Sequence, residues 1–199
     1  MKKIIVHRCN SIDQLKTVNN NYGVEIDLRT YKSEIILNHD PYLNEGVLFR
    51  DWIKHYNHSH IILNIKEEGS ENEIINIMND YNIDDYFFLD QSFPFLIKFA
   101  RQGHKLSAIR FSEFESLETV ISLSGKIDWV WVDYFSFLPL NFDNSNLLKE
   151  KNFKICLVSP ELQGFDKSEV IKVQNKIINE KIYFDAVCTK YPSIWENLN

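Results

Sequence analysis

The chain has 199 residues, 44% of them apolar and 25% charged, with a formal net charge of -6. This suits one globular domain over residues 1–199 with a full core. The negative charge, without any basic stripe interleaved with aromatics, excludes a general nucleic-acid binder, and no segment approaches the ~20 apolar residues of a membrane span.

The three cysteines, Cys9, Cys156 and Cys188, are far apart and lack metal-ligand spacing. The apolar run after Met1 is too short for a signal peptide. Both observations predict reduced thiols in a cytoplasmic protein.

Short apolar strands recur along the chain, each followed by a polar or amphipathic piece of helix length. KIIVHR (3–8) comes first and ends in His7-Arg8; Ser11 is placed to cap the helix in SIDQLKTVNNN. GVEIDLR (23–29) alternates, with Val24, Ile26 and Leu28 on one face and Glu25, Asp27 and Arg29 on the other. The strand EIILNH follows it and makes a hairpin that ends in His39-Asp40.

After LFRDWIKHYN, His55, His58 and His60 straddle a helix end and a strand start, and read as solvated loop residues. HIILNIK (60–66) places Asn64 and Lys66 on one face, and an acid-rich turn after Ser70 opens the next helix. DYFFLD (85–90) precedes FPFLIKFARQG, which Gly103 ends, and LSAIRFS (106–112) offers Arg110.

FESLETVISLS has Ser116 near its start and Gly125 just beyond its end. DWVWVDY (128–134) offers Asp133; its Trp129 and Trp131 read as packing residues, with one of them lining the mouth as the alternative, and Phe135, Phe137 and Leu138 follow as an apolar wall or a packed loop. After NSNLLKEK, FKICLVS (153–159) runs into Pro160-Glu161. Val170, Val173, Ile177 and Ile178 recur at helical spacing, and FDAVCTK (184–190) and PSIWENLN close the chain.

Eight strand–helix units predict a parallel sheet closed into a (βα)8 barrel. The barrel is compact against the ~250 residues typical of the fold, with a small hairpin insertion after the second strand. Chemistry in such a barrel sits at the C-terminal ends of the strands. If the apolar faces pack on the helices, Glu25, Asp27, Asn64 and Lys66 point into the mouth, because a barrel strand has no wet face.

Paired buried carboxylates need a compensating cation, and oxygen donors suit a hard divalent ion, Mg²⁺ or Ca²⁺. His7 and His39 are candidates for general acid and base, and Arg8 and Lys66 for phosphate contacts. Asp40, Arg110, Asp133 and Glu161 are further polar residues at strand ends. The set predicts metal-assisted phosphoryl chemistry on a small-molecule substrate. A barrel that binds a phosphorylated ligand without turnover, and a sugar-phosphate lyase or isomerase with Lys66 as the imine-forming amine, are the rival expectations.

His7-Arg8, then Glu25-x-Asp27, then His39-Asp40 after a short hairpin, then Lys66 ending the third strand, resembles the glycerophosphodiester phosphodiesterase family. That family belongs with the barrel phosphodiesterases that include phosphatidylinositol-specific phospholipases C. FFLDQSFP and DAVCTKYP resemble its fourth-strand and closing segments, so the resemblance spans nearly the whole chain. It implies His7 and His39 as the acid/base pair, Glu25 and Asp27 as metal ligands, and Arg8 and Lys66 on the phosphate of a phosphodiester cleaved to an alcohol and a phosphomonoester.

The chain departs from the family at Cys9-Asn10, where Gly is usual, and at Lys190, where aspartate is usual. The proline-glutamate-asparagine-threonine segment is missing, and the insertion before the third strand is mostly absent. Asn64 stands where the family has a third carboxylate; it keeps an oxygen ligand but removes one negative charge. Asn10, Glu67, Asp90 and Glu161 are the residues expected to make up for it.

Overall fold

Isoleucine, leucine and valine fill the short strands on both faces, as strands need when helices cover them outside and other strands face them inside. The computed structural model describes residues 2–42 and 45–198. Its strands are β1 (Lys3–Val6), β2 (Gly23–Tyr31), β3 (Glu34–Leu37), β4 (Val47–Leu48), β5 (Ile61–Ile65), β6 (Tyr86–Leu89), β7 (Ala108–Phe111), β8 (Trp129–Val132), β9 (Lys154–Val158) and β10 (Ala186–Thr189). The helices between and after them are α1 (Ile12–Thr17), α2 (Phe49–Trp52), α3 (Glu71–Asp80), α4 (Phe93–Arg101), α5 (Leu117–Ile121), α6 (Phe142–Glu150), α7 (Lys167–Asn179) and α8 (Pro192–Trp195).

Parallel pairing runs from β6 through β5, β2, β1, β10, β9 and β8 to β7. One bridge, Phe88 with Ser107, joins β6 to the approach of β7 and closes the barrel. Phe88 N–H donates to Leu106 O there at 2.9 Å. The expected hairpin is present, β3 lying antiparallel on β2. It goes one step further than the sequence indicates, since β4 pairs antiparallel with β3.

Side-chain alternation divides the core. Val24, Ile26, Leu28, Ile61, Leu63 and Ile65 pack outward among the helices, whereas Ile5, Ile62, Phe87, Trp129 and Cys156 fill the barrel interior. The caps follow the sequence: Ser11 and Gln14 form a capping box on α1, and Ser116 Oγ accepts from Thr119 N–H on α5. Two pieces read as longer helices are short, α2 with four residues and α5 with five. Among the described residues no helix is long and apolar enough to cross a membrane.

His60 corrects the reading of a solvated histidine loop. It is fully buried at the N-terminal base of the barrel, its Nδ1 2.8 Å from Asp85 Oδ1 and its ring against Phe87 and Trp129. The reason is strand parity: His60 shares the inward face of Ile62 and Asn64, one step before β5 begins. His58 is half-buried and lies 3.2 Å from Val18 O; His55 is exposed.

Candidate active site

Glu25 and Asp27 occupy the inward face of β2, each 1% exposed. The chain leaving β1 wraps their carboxylates. Arg8 adopts a left-handed backbone (φ 61°), which aims its N–H at Glu25 Oε2, 2.8 Å away. Asn10 then brackets Asp27: its Nδ2 donates to Asp27 Oδ2 at 2.8 Å, and its Oδ1 accepts from Asp27 N–H at 2.9 Å.

From β5, Asn64 Nδ2 donates to Glu25 Oε1 at 2.9 Å. Its Oδ1 is buried with no hydrogen-bond partner. Lys66 Nζ lies 3.2 Å from Asp27 Oδ1 and 3.6 Å from Asp90 Oδ2, and Arg8 Nε is 3.6 Å from Asp27 Oδ2.

These side chains, except Asn10, line a cavity of about 140 Å³ at the C-terminal ends of the strands. His7 and His39 line it too, from opposite origins: His7 directly follows β1, and His39 comes in on the hairpin. His7 Nε2 is 3.8 Å from Glu25 Oε2, beyond hydrogen-bond reach, and its Nδ1 is buried without a partner. His39 Nδ1 is 2.8 Å from Asp40 Oδ1. Arg29, which the sequence reading left on the strand face without a role, fixes the end of this hairpin. Its Nε and Nη2 donate to His39 O at 3.2 and 3.0 Å, and its Nη1 holds Glu67 at 3.1 Å.

Arg110 and Asp133 reach the cavity as the sequence suggested. Arg110 bridges Asp90 and Asp133. Of the two tryptophans of β8, Trp131 is the one that lines the cavity, and it donates from Nε1 to Asp133 Oδ1 at 3.2 Å. It sits two residues before Asp133, which follows β8, so strand parity puts both on the inward face.

Three candidates lie outside the cavity lining. Asp40 is largely exposed. Asn10 stands behind Asp27. Glu161 is buried in the turn after β9, accepting from Thr189 Oγ1 at 2.6 Å, Lys190 N–H at 2.8 Å and Ser159 Oγ. It ties β9 to β10, while Leu162 and Gln163 of the same turn reach the cavity instead. Of the residues expected to make up for Asn64, Asp90 lines the cavity, whereas Glu67 is taken by Arg29 and Thr30. Leu138 is buried, but Phe135 and Phe137 stand at the surface.

Burial, and secondly the charge of Asp27, push the Glu25 carboxyl up from 4.5 to about 7. Burial and the neighbouring Arg8 charge bring His7 down to about 4, so its imidazole is neutral at neutral pH. Burial raises Asp133 to about 6 even against the Arg110 guanidinium. Among the described residues no three His, Cys, Asp or Glu side chains cluster as a metal site. The oxygen set is two carboxylates and one amide. An unpartnered buried Asn64 Oδ1 beside a reluctantly ionised Glu25 fits a hard cation bound through oxygens.

No family model and no curated protein matches the sequence. Solved structures do match the fold. A glycerophosphoryl diester phosphodiesterase from Parabacteroides distasonis superposes with TM-score 0.69 at 13% identity, covering 100% of this chain and 87% of that one. A glycerophosphodiester phosphodiesterase from Agrobacterium tumefaciens gives 0.69 at 10% identity, covering 98% of this chain and 99% of the other. The likeness establishes the barrel architecture over the full length of the chain.

Proposed function

We propose that the chain is a metal-dependent phosphodiester hydrolase that cleaves a glycerol-phosphate-type diester to an alcohol and a phosphomonoester. One observation carries this reading: two histidines and two cationic side chains enter the same small cavity as two buried carboxylates and an unpartnered amide oxygen. The barrel that it shares with glycerophosphodiester phosphodiesterases supports it.

In this reading Arg8 and Lys66 hold the non-bridging phosphate oxygens. His7, neutral at neutral pH, takes the proton of the attacking water, or of a neighbouring substrate hydroxyl whose cyclic phosphate water then opens to the phosphomonoester. His39, oriented through Nδ1 by Asp40, gives a proton to the departing alcohol oxygen as the phosphorus–oxygen bond breaks. Glu25, Asp27 and the Asn64 amide oxygen would hold Mg²⁺ or Ca²⁺, which when bound offsets charge on the phosphoryl oxygens. Lys66 Nζ stands between the Asp27 and Asp90 carboxylates, which occupy the amine that an imine would need.

The test is hydrolysis of glycerophosphodiesters by the purified protein. Activity is expected to vanish in chelator and return with Mg²⁺ or Ca²⁺, and His39→Ala should lose about 10²–10⁴-fold in kcat. Full activity in chelator or in His39→Ala ends the assignment.

A further inference from the structure

The cavity that holds the candidate catalytic groups, at about 140 Å³, is below the ~300–1,000 Å³ of ordinary small-molecule sites. A second cavity of about 470 Å³ adjoins it, and Asp90 and Arg110 line both. Its origin lies in the fold. The strands β6 and β7 meet through one bridge and α5 has five residues, which leaves the groove between α4 and α5 open over the end of β7.

Five of the eleven residues that line this second cavity are apolar. Phe93 and Leu96 come from α4, Ile109 from β7 and Phe114 from the loop before α5. Phe114 is 79% exposed and Phe93 53%, so two large rings face water at the rim, where a ligand would cover them. Several polar lining groups already have protein partners. Gln91 Oε1 accepts from Ser107 at 2.8 Å, Ser116 Oγ and Thr119 Oγ1 lie 3.1 Å apart, and Glu115 accepts from Ser112 Oγ at 2.8 Å.

We infer that this cavity receives the alcohol half of the diester and that this alcohol carries an apolar chain. The substrate class is then an amphiphilic phosphodiester, with its phosphate beside Arg8 and Lys66 and its chain passing the Asp90–Arg110 pair to lie among Phe93, Leu96, Ile109 and Phe114. The inference rests on the phosphodiester reading above and adds the chemistry of the leaving group.

Binding of methyl phosphate, hexyl phosphate and phosphocholine, measured by calorimetry without turnover, tests it. A buried methylene is worth about fourfold in affinity, so hexyl phosphate is expected to bind at least about tenfold tighter than methyl phosphate. Thr119→Trp, which fills the cavity from α5, should bring that ratio towards one. Phe114→Ala, at an exposed position that the fold tolerates, should lower it as well. Taking the ratio within each variant cancels any loss of folded protein.

Equal affinity for methyl and hexyl phosphate, or tighter binding of phosphocholine than of hexyl phosphate, overturns the inference. So does an unchanged ratio in both variants. A chain-length ratio that persists in a protein without hydrolytic activity ends the catalytic reading alone. A flat ratio in an active enzyme ends this inference alone, and no binding of any phosphate ends both.

Discussion

Glu25 is the residue at which fold and chemistry conflict most. Its carboxyl prefers to keep a proton up to about pH 7 in the folded chain, against 4.5 ordinarily. Between those values the folded state binds a proton that the unfolded state has released. Stability therefore falls as pH rises through this window, and the full cost of the buried charge is present above pH 7. In chelator, Glu25→Gln is expected to raise Tm at pH 8 by several degrees, at about 2–4 °C per kcal/mol for a chain of this size, and by less at pH 5. Mg²⁺ should raise the Tm of the parent at pH 8 and leave Glu25→Gln nearly unmoved. A variant that melts with the parent at pH 8 would show that the charge is already compensated by Lys66 and Arg8.

Strand alternation made Glu25, Asp27, Asn64 and Lys66 legible as one inward set. It could not show that Asn10 grips Asp27 from behind, because that contact depends on the turn at Arg8. Nor could it show that Glu161 faces Thr189 instead of the mouth, since Glu161 lies past the end of its strand, where period-two reasoning stops.

At the level of single elements, the hairpin decides whether His39 is in place. Nothing in EIILNHD requires the end of β3 to fold over the barrel. Arg29 supplies that constraint by clamping His39 O with two N–H groups while Glu67 holds its third. Arg29→Met keeps the apolar stem and loses the clamp. A fall of roughly 10–100-fold in kcat, with a smaller change in KM and an unchanged far-UV spectrum, is expected for a misplaced catalytic group. An undiminished kcat would mean that β4 and the rest of the hairpin hold His39 unaided. The apolar run of EIILNH marks β3, whereas β4, with two residues, carries no periodicity of its own. For the opposite reason α2 and α5 look longer in the sequence than they are, since polar residues at loop positions mimic a solvated helix face.

For the whole molecule, eight apolar runs separated by helix-length pieces were enough to predict the barrel, and the ring of parallel pairs bears that out. How evenly the ring is joined was not visible in the sequence, since closure depends on where β6 ends relative to β7. A single bridge holds that junction, while β5 is paired along both sides. In native-state hydrogen exchange the Phe88 amide, which donates across the junction, should open at lower free energy than the amides of β5. Equal protection would mean that the barrel opens only as a unit.

The opposite side of the ring is joined far more firmly. The strands β1 and β10 match over four consecutive residue pairs, Lys2 Nζ donates to Leu198 O at 2.8 Å, and Tyr22 bonds Glu196. The chain thus meets itself at its ends and is loosest near its middle. Two sets of four barrel strands, one before the turn at Gly103 and one after it, therefore meet along a full seam at β1 and β10 and through one bridge at β6 and β7. A permuted chain that opens at that turn and fuses the present ends would keep every well-paired strand contact and sever only the loop beside the thinnest joint.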